Sequence, residues 1–76
     1  MLIVNQAGTT IFNVDKISVI RLDKSEIWVA YKTYFDGLPI VQNVPIYNGE
    51  FATAMFEAII EAASTGAQVI RLDKEC

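Results

Sequence analysis

The 76 residues make one domain, near the size at which a single core leaves a thin stability margin. Net charge is −3 and the six Lys and Arg are scattered, which argues against a phosphate-binding surface for nucleic acid. No apolar run approaches the roughly 20 residues that cross a bilayer. There is no histidine, which removes the commonest general base, the commonest metal ligand and every Ser-His or Cys-His pair.

Met1 to Asn5 predicts a first strand, Ala7-Gly8 a turn, and Thr10 to Val14 a second strand. Asp15-Lys16 breaks the pattern before a third strand over Ile17 to Asp23. Lys24-Ser25 then offers a tight turn into Ile27 to Phe35, the longest strand. Asp36-Gly37 suits a type I′ hairpin, whose two central residues both need positive φ.

With Asp36-Gly37 as the loop, Phe35 faces Leu38, Thr33 faces Ile40, Tyr31 faces Gln42, Val29 faces Val44 and Ile27 faces Ile46. These share one side of the hairpin, because side chains alternate across a strand, and their aliphatics form the face expected to be covered. The opposite side carries Trp28, Ala30, Lys32 and Tyr34 against Pro45, Asn43, Val41 and Pro39, with Val19 and Ile17 expected beside Ala30 and Lys32. A solvated face normally reads polar, and this one does not. Pro39 and Pro45 donate no N–H, which puts the 38–46 strand at a sheet edge.

From residue 48 to 66 the period changes to that of a helix. Phe51, Met55, Ile59 and Ala62, with Ala52, Phe56, Ile60 and Ala63, make a wide apolar surface, while Glu50, Thr53, Glu57, Glu61 and Ser64 make a polar stripe. Asn48 is the expected N-cap and Gly66 the left-handed residue that ends the helix. Ala67 to Asp73 reads as a last strand or an extended tail. The expected fold is α+β: four or five mainly antiparallel strands in a sheet packed on one helix, in the order β-β-β-β-α-β.

Val19-Ile20-Arg21-Leu22-Asp23-Lys24 recurs as Val69-Ile70-Arg71-Leu72-Asp73-Lys74, without matching flanks and so without domain duplication. Chance convergence of two amphipathic strands on the same letters is the first reading; the sharper ones are that the copies occupy equivalent edges, or that the C-terminal copy replaces the other by strand exchange between subunits.

Signals for chemistry are sparse. Phosphate-cradling glycine loops, calcium-loop spacing and a second cysteine to partner Cys76 are all missing, so no catalytic residue, cofactor or metal is implied, and Cys76 reads as an exposed terminal thiol. Glu57 and Glu61 are the acidic pair at helical i,i+4 spacing, and acid–base work would need one of them desolvated; on the polar stripe, water screens both. MLIVNQ lacks the basic segment of a signal peptide, and the compartment expected is the cytoplasm.

The opening Ile3-Val4-Asn5-Gln6, the β-rich first half and the run Glu57-Ala58-Ile59-Ile60-Glu61-Ala62 resemble small uncharacterised proteins of Gram-positive bacteria and their phages or mobile elements. The resemblance covers the two ends of the chain, and the middle hairpin with Trp28, Pro39 and Pro45 departs from it. It brings no catalytic residues and implies only a phage or prophage accessory setting; a host complex would be a target for such a module there, and no residue selects one. Either the N-terminal hairpin or the last strand covers the Trp28 face, making Trp28 and Tyr34 core, or that face is a contact surface; the function expected on the second reading is a protein-interaction module, self-associating through Trp28, Tyr34, Pro39, Val41 and Pro45. The alternatives are a structural homo-oligomer subunit with no separate ligand and, behind it, an enzyme using Glu57 and Glu61.

Overall fold

A computed structural model describes residues 1–73; Cys76, and the Lys74 that ends the second hexamer, lie outside the described residues. The elements run β1 (Leu2–Val4), β2 (Ile11–Asn13), β3 (Ile17–Asp23), β4 (Glu26–Phe35), β5 (Leu38–Asn48), α1 (Ala52–Thr65) and β6 (Val69–Arg71). The chain is α+β with one helix, but its strands divide into two three-stranded sheets, ordered β2-β1-β6 and β3-β4-β5, in place of one sheet of four or five. Five strands precede the helix, matching the five segments read along the chain and one more than the order β-β-β-β-α-β.

The division has a local cause. Asp15-Lys16, read as a short break, sits in a turn of 3₁₀ helix over Val14–Lys16, capped by Asn13 Oδ1, which accepts from the Asp15 N–H at 3.0 Å. That turn redirects the chain, so β3 starts a new sheet instead of extending the first. β1 then takes β6 on its other side in parallel, with Ile3 opposite Ile70. A parallel pairing needs a long crossover, and here it runs through β2, the second sheet and α1 before β6 returns beside β1.

Three turns govern the β-rich part. Asn5 Oδ1 accepts from the N–H groups of Thr9 and Thr10, at 2.9 and 3.1 Å, holding the β1–β2 connection. Lys24, with φ of 56°, carries the β3–β4 turn in a conformation non-glycine residues rarely adopt. Asp36 and Gly37 both have positive φ, 53° and 77°, as a type I′ turn requires.

The β4–β5 register follows the expected arithmetic from Phe35↔Leu38 through Trp28↔Pro45, and β5 is an edge strand. It then slips by one residue. Ile27 pairs with Tyr47 and not with Ile46, because a bulge inserts Ile46. The bulge turns two consecutive side chains, Ile46 and Tyr47, into the core together. A second irregularity between Ile17 and Val19 keeps Val19 opposite Ala30 but sets Ile17 opposite Tyr31 and packs it against the core, off the face expected for it.

The helix starts later than its periodicity implies. Phe51 is the N-cap and makes no side-chain capping bond, whereas Asn48 closes β5. Its N–H donates to Gln6 Oε1 at 2.9 Å and its C=O accepts from Gln6 Nε2 at 3.0 Å, so the Gln6 amide acts as a short piece of strand joining the two sheets. Gly66, with φ of 75°, ends α1, and the Ala62 carbonyl accepts from the N–H of Ala67. Ala52, Met55 and Ile59 form the buried seam of the helix; Phe51 and Ile60 stay exposed, so the apolar surface that packs is narrower than the stripe in the sequence. The core gathers that seam with Ile3 and Leu72 from the first sheet region and Ile27, Val29, Ile46 and Tyr47 from the second.

Candidate functional site: an uncovered hairpin arm

The described chain measures 42 × 26 × 20 Å, and the elongation comes from the β4–β5 hairpin. β4 has 10 residues, about 34 Å at about 3.4 Å each, while the 14 residues of α1 span only about 21 Å at about 1.5 Å each. The helix covers the base of the hairpin, around Ile27 and Val29. The first sheet reaches as far as Tyr31, whose ring lies 6.3 Å from that of Phe12. Beyond Tyr31 no element of the described chain lies over either side.

The result is an arm with apolar groups on both faces. On one, Tyr34 is 71% and Val41 61% exposed, with Pro39 beside them. On the other, Phe35 and Leu38 are 67% and 68% exposed and Ile40 is also exposed. Phe35, Leu38 and Ile40 share a face with the buried Ile27 and Val29, and their expected cover does not reach them. Sequence reasoning missed them as surface residues: alternation groups residues by face but does not say how far along a strand the cover extends.

Four of the five residues expected at an interface, Tyr34, Pro39, Val41 and Pro45, are exposed on the face away from the helix, and Trp28 is half-buried on that face. Trp28 sits between its cross-strand neighbours Arg21 and Pro45, with the Arg21 guanidinium 5.4 Å from the ring centroid. Such a cation–π contact stabilises by about 0.5–1 kcal/mol at an exposed site. The Trp28 Nε1–H is buried without an acceptor, at a cost of about 1–3 kcal/mol. Trp28 thus belongs to the outer face yet is wedged among its neighbours, while Tyr34, Pro39 and Val41 project freely.

The outer edge of β5 is interrupted by its prolines. The two-residue loop closes on the hydrogen-bonded pair Phe35–Leu38, so alternation points the backbone groups of residues 39, 41, 43 and 45 away from β4. Asn48, on the same outward side after the bulge, is already held by Gln6. Residues 39 and 45 are prolines, which leaves two outward N–H groups, those of Val41 and Asn43, between two positions that cannot donate. A partner is therefore directed to the faces of the arm and away from its edge.

Glu57 and Glu61 lie exposed on α1, on its solvated stripe, and neither lines the grooves beside Ile20, Phe12 or Pro45. Among the described residues no group of three or more His, Cys, Asp or Glu comes together, and no helix is long and apolar enough to cross a membrane. The resolved electrostatic feature is Arg71, whose guanidinium is held above its usual pKa by hydrogen bonding to, and attraction from, Asp73 at 2.8 Å. Comparison with family models, curated proteins and solved structures finds no match to this chain.

Proposed function

We propose that this chain is a small protein-interaction module that self-associates through the β4–β5 arm, with Tyr34, Pro39 and Val41 at the contact and Trp28 and Pro45 at its base. The observation that carries the reading is the bare apolar tip: five large apolar residues within 34–41, with Pro39 among them, stand beyond the reach of the helix and the first sheet. A short chain that leaves its most apolar hairpin uncovered has surface to bury against another molecule. Aromatic and proline side chains lose little rotamer entropy when they are immobilised, which suits them to contact. The resemblance to small phage and mobile-element proteins supports an accessory setting, in which the same arm would meet a host complex.

Sedimentation equilibrium across a dilution series tests the proposal. The wild-type chain is expected to pass from oligomer to monomer, and the pair Tyr34→Lys with Val41→Lys is expected to be monomeric throughout while keeping the wild-type circular dichroism spectrum. A wild-type chain that stays monomeric at every concentration would end the self-association reading. Trp28→Ser separates contact from packing: weaker association at unchanged melting temperature assigns Trp28 to the interface, and unfolding assigns it to support of the arm.

A further inference from the structure

The repeated hexamer acquires a meaning once both copies are placed. Each lies on an edge strand, the first in β3 and the second running through β6 to Asp73. Their side chains alternate alike: Val19 and Val69 are equally exposed, Arg21 and Arg71 point outward, and Ile20, Leu22, Ile70 and Leu72 turn inward. What differs is the backbone edge.

In the second copy that edge is occupied by β1. The Gln68 C=O accepts from the Leu2 N–H at 2.8 Å, and the Leu72 N–H donates to the Val4 C=O at 3.0 Å. The register is parallel, with Leu2 opposite Val69, Ile3 opposite Ile70 and Val4 opposite Arg71, so the even-numbered residues of the hexamer face β1. In the first copy the corresponding residues are Ile20 and Leu22. Asp23–Glu26 closes the two-residue Lys24-Ser25 loop, and alternation from there points the backbone groups of Ile20 and Leu22 away from β4. Among the described residues no hydrogen bond takes them. One hexamer thus has a strand on an edge that the other leaves open.

A groove of about 460 Å³ lies beside the open edge, lined by Ile20 with Val14 and, from α1, Phe56, Ile59, Ile60 and Ala63. In the occupied copy the strand residue opposite Ile70 is Ile3, which is fully buried. A segment bound to β3 in the same register would put its middle side chain opposite Ile20, on the inward face where the groove opens. Backbone donors and acceptors in extended array, next to an apolar pocket, are the two parts of a strand-addition site.

We infer that the β3 edge and this groove bind an extended segment of a partner protein, of the Leu-Ile-Val type that β1 presents to β6. The segment adds parallel to β3, pairs with the backbone of Ile20 and Leu22, and sinks its central apolar side chain between Ile20 and α1. A second copy is a poor donor of its own β1, because removing Ile3 would open the core. The site is separate from the arm, and β3 contains no proline, in contrast to the guarded edge of β5.

The test titrates the ¹⁵N-labelled full chain with a capped peptide of residues 1–6, Met-Leu-Ile-Val-Asn-Gln. The amide signals of Ile20 and Leu22 are expected to shift saturably, and their hydrogen exchange to slow by about tenfold or more. Placing Asp at the third peptide position, or Ile60→Lys in the protein, is expected to weaken binding by about tenfold or more, since each puts a charge in the groove. Tyr34→Lys on the arm is expected to leave peptide binding unchanged while it weakens self-association, so the two sites fail separately. No saturable shift at Ile20 and Leu22 up to about 1 mM peptide would overturn the inference. So would equal binding of the Asp peptide, or wild-type affinity in Ile60→Lys. Protection of these two amides that rises with protein concentration alone would identify a second copy as the occupant and overturn the partner-segment assignment.

Discussion

The two halves of the β4–β5 hairpin share one register and one side-chain alternation but not one environment. At the base, Ile27 and Val29 are almost wholly enclosed by α1 and their neighbours; at the tip, Phe35 and Leu38 on the same face are mostly in water. Residue type does not separate them. What does is length, since a helix of about 21 Å cannot shadow a strand of about 34 Å. The comparison teaches that a strand's pattern fixes which residues travel together, whereas the reach of its neighbours fixes which of them are core.

Substitutions along the hairpin test this contrast. The largest effect is expected for Ile27→Ala at the base: deleting a fully buried branched side chain costs about 2–5 kcal/mol, enough to unfold much of a domain this small, as thermal or urea melts would show. Gln6→Ala comes next. It removes both hydrogen bonds to the Asn48 backbone, and a loss of about 1–2 kcal/mol in urea denaturation is expected, the bonds being partly solvated. Lys24→Asn should act with the opposite sign, gaining about 0.5–1 kcal/mol at the β3–β4 turn, because Asn tolerates the φ of 56° better than Lys does. The smallest effect belongs to the tip: Phe35→Thr with Leu38→Thr should leave stability within about 0.5 kcal/mol of wild type. A large loss there would mean that the tip is packed in the free chain and would erase the distinction between the halves.

The edges of the larger sheet repeat the lesson in backbone terms. β5 carries prolines at two of the positions whose N–H groups would face outward, Gln6 takes the outward groups of Asn48, and the isolated N–H groups of Val41 and Asn43 lie between the prolines. β3 has neither device. One edge is interrupted and the other free; the prolines marked the first in the sequence, and no residue of β3 marked the second.

Much was legible in the residues. Asp36-Gly37 identified the I′ turn and with it the pairing of Phe35 to Leu38 through Trp28 to Pro45; the two prolines put β5 at an edge; the 3.6-residue period found α1 and Gly66 its end. Each of these is a local preference, of a turn for positive φ, of proline for a position that needs no donor, or of a helix for a C-terminal glycine. The bulge at Ile46 was not legible, because it is stabilised by burying two consecutive side chains against a helix that lies later in the chain. Asn48 looked like a cap by type, but its backbone was claimed by Gln6, 42 residues earlier.

Local preferences in the residues therefore set the helix, the turns and most strand faces, since these follow from interactions over a few neighbouring residues; the faces of Ile17 and of Ile46–Tyr47 escaped them because bulges shift both. Only the tertiary structure decided that the strands split into two sheets, that β6 lies parallel to β1, how far along the arm the core extends, and which copy of the hexamer keeps an open edge. These outcomes depend on contacts between segments far apart in the chain. Such contacts are selected by the total apolar area that packing removes from water, a quantity no short window of residues contains.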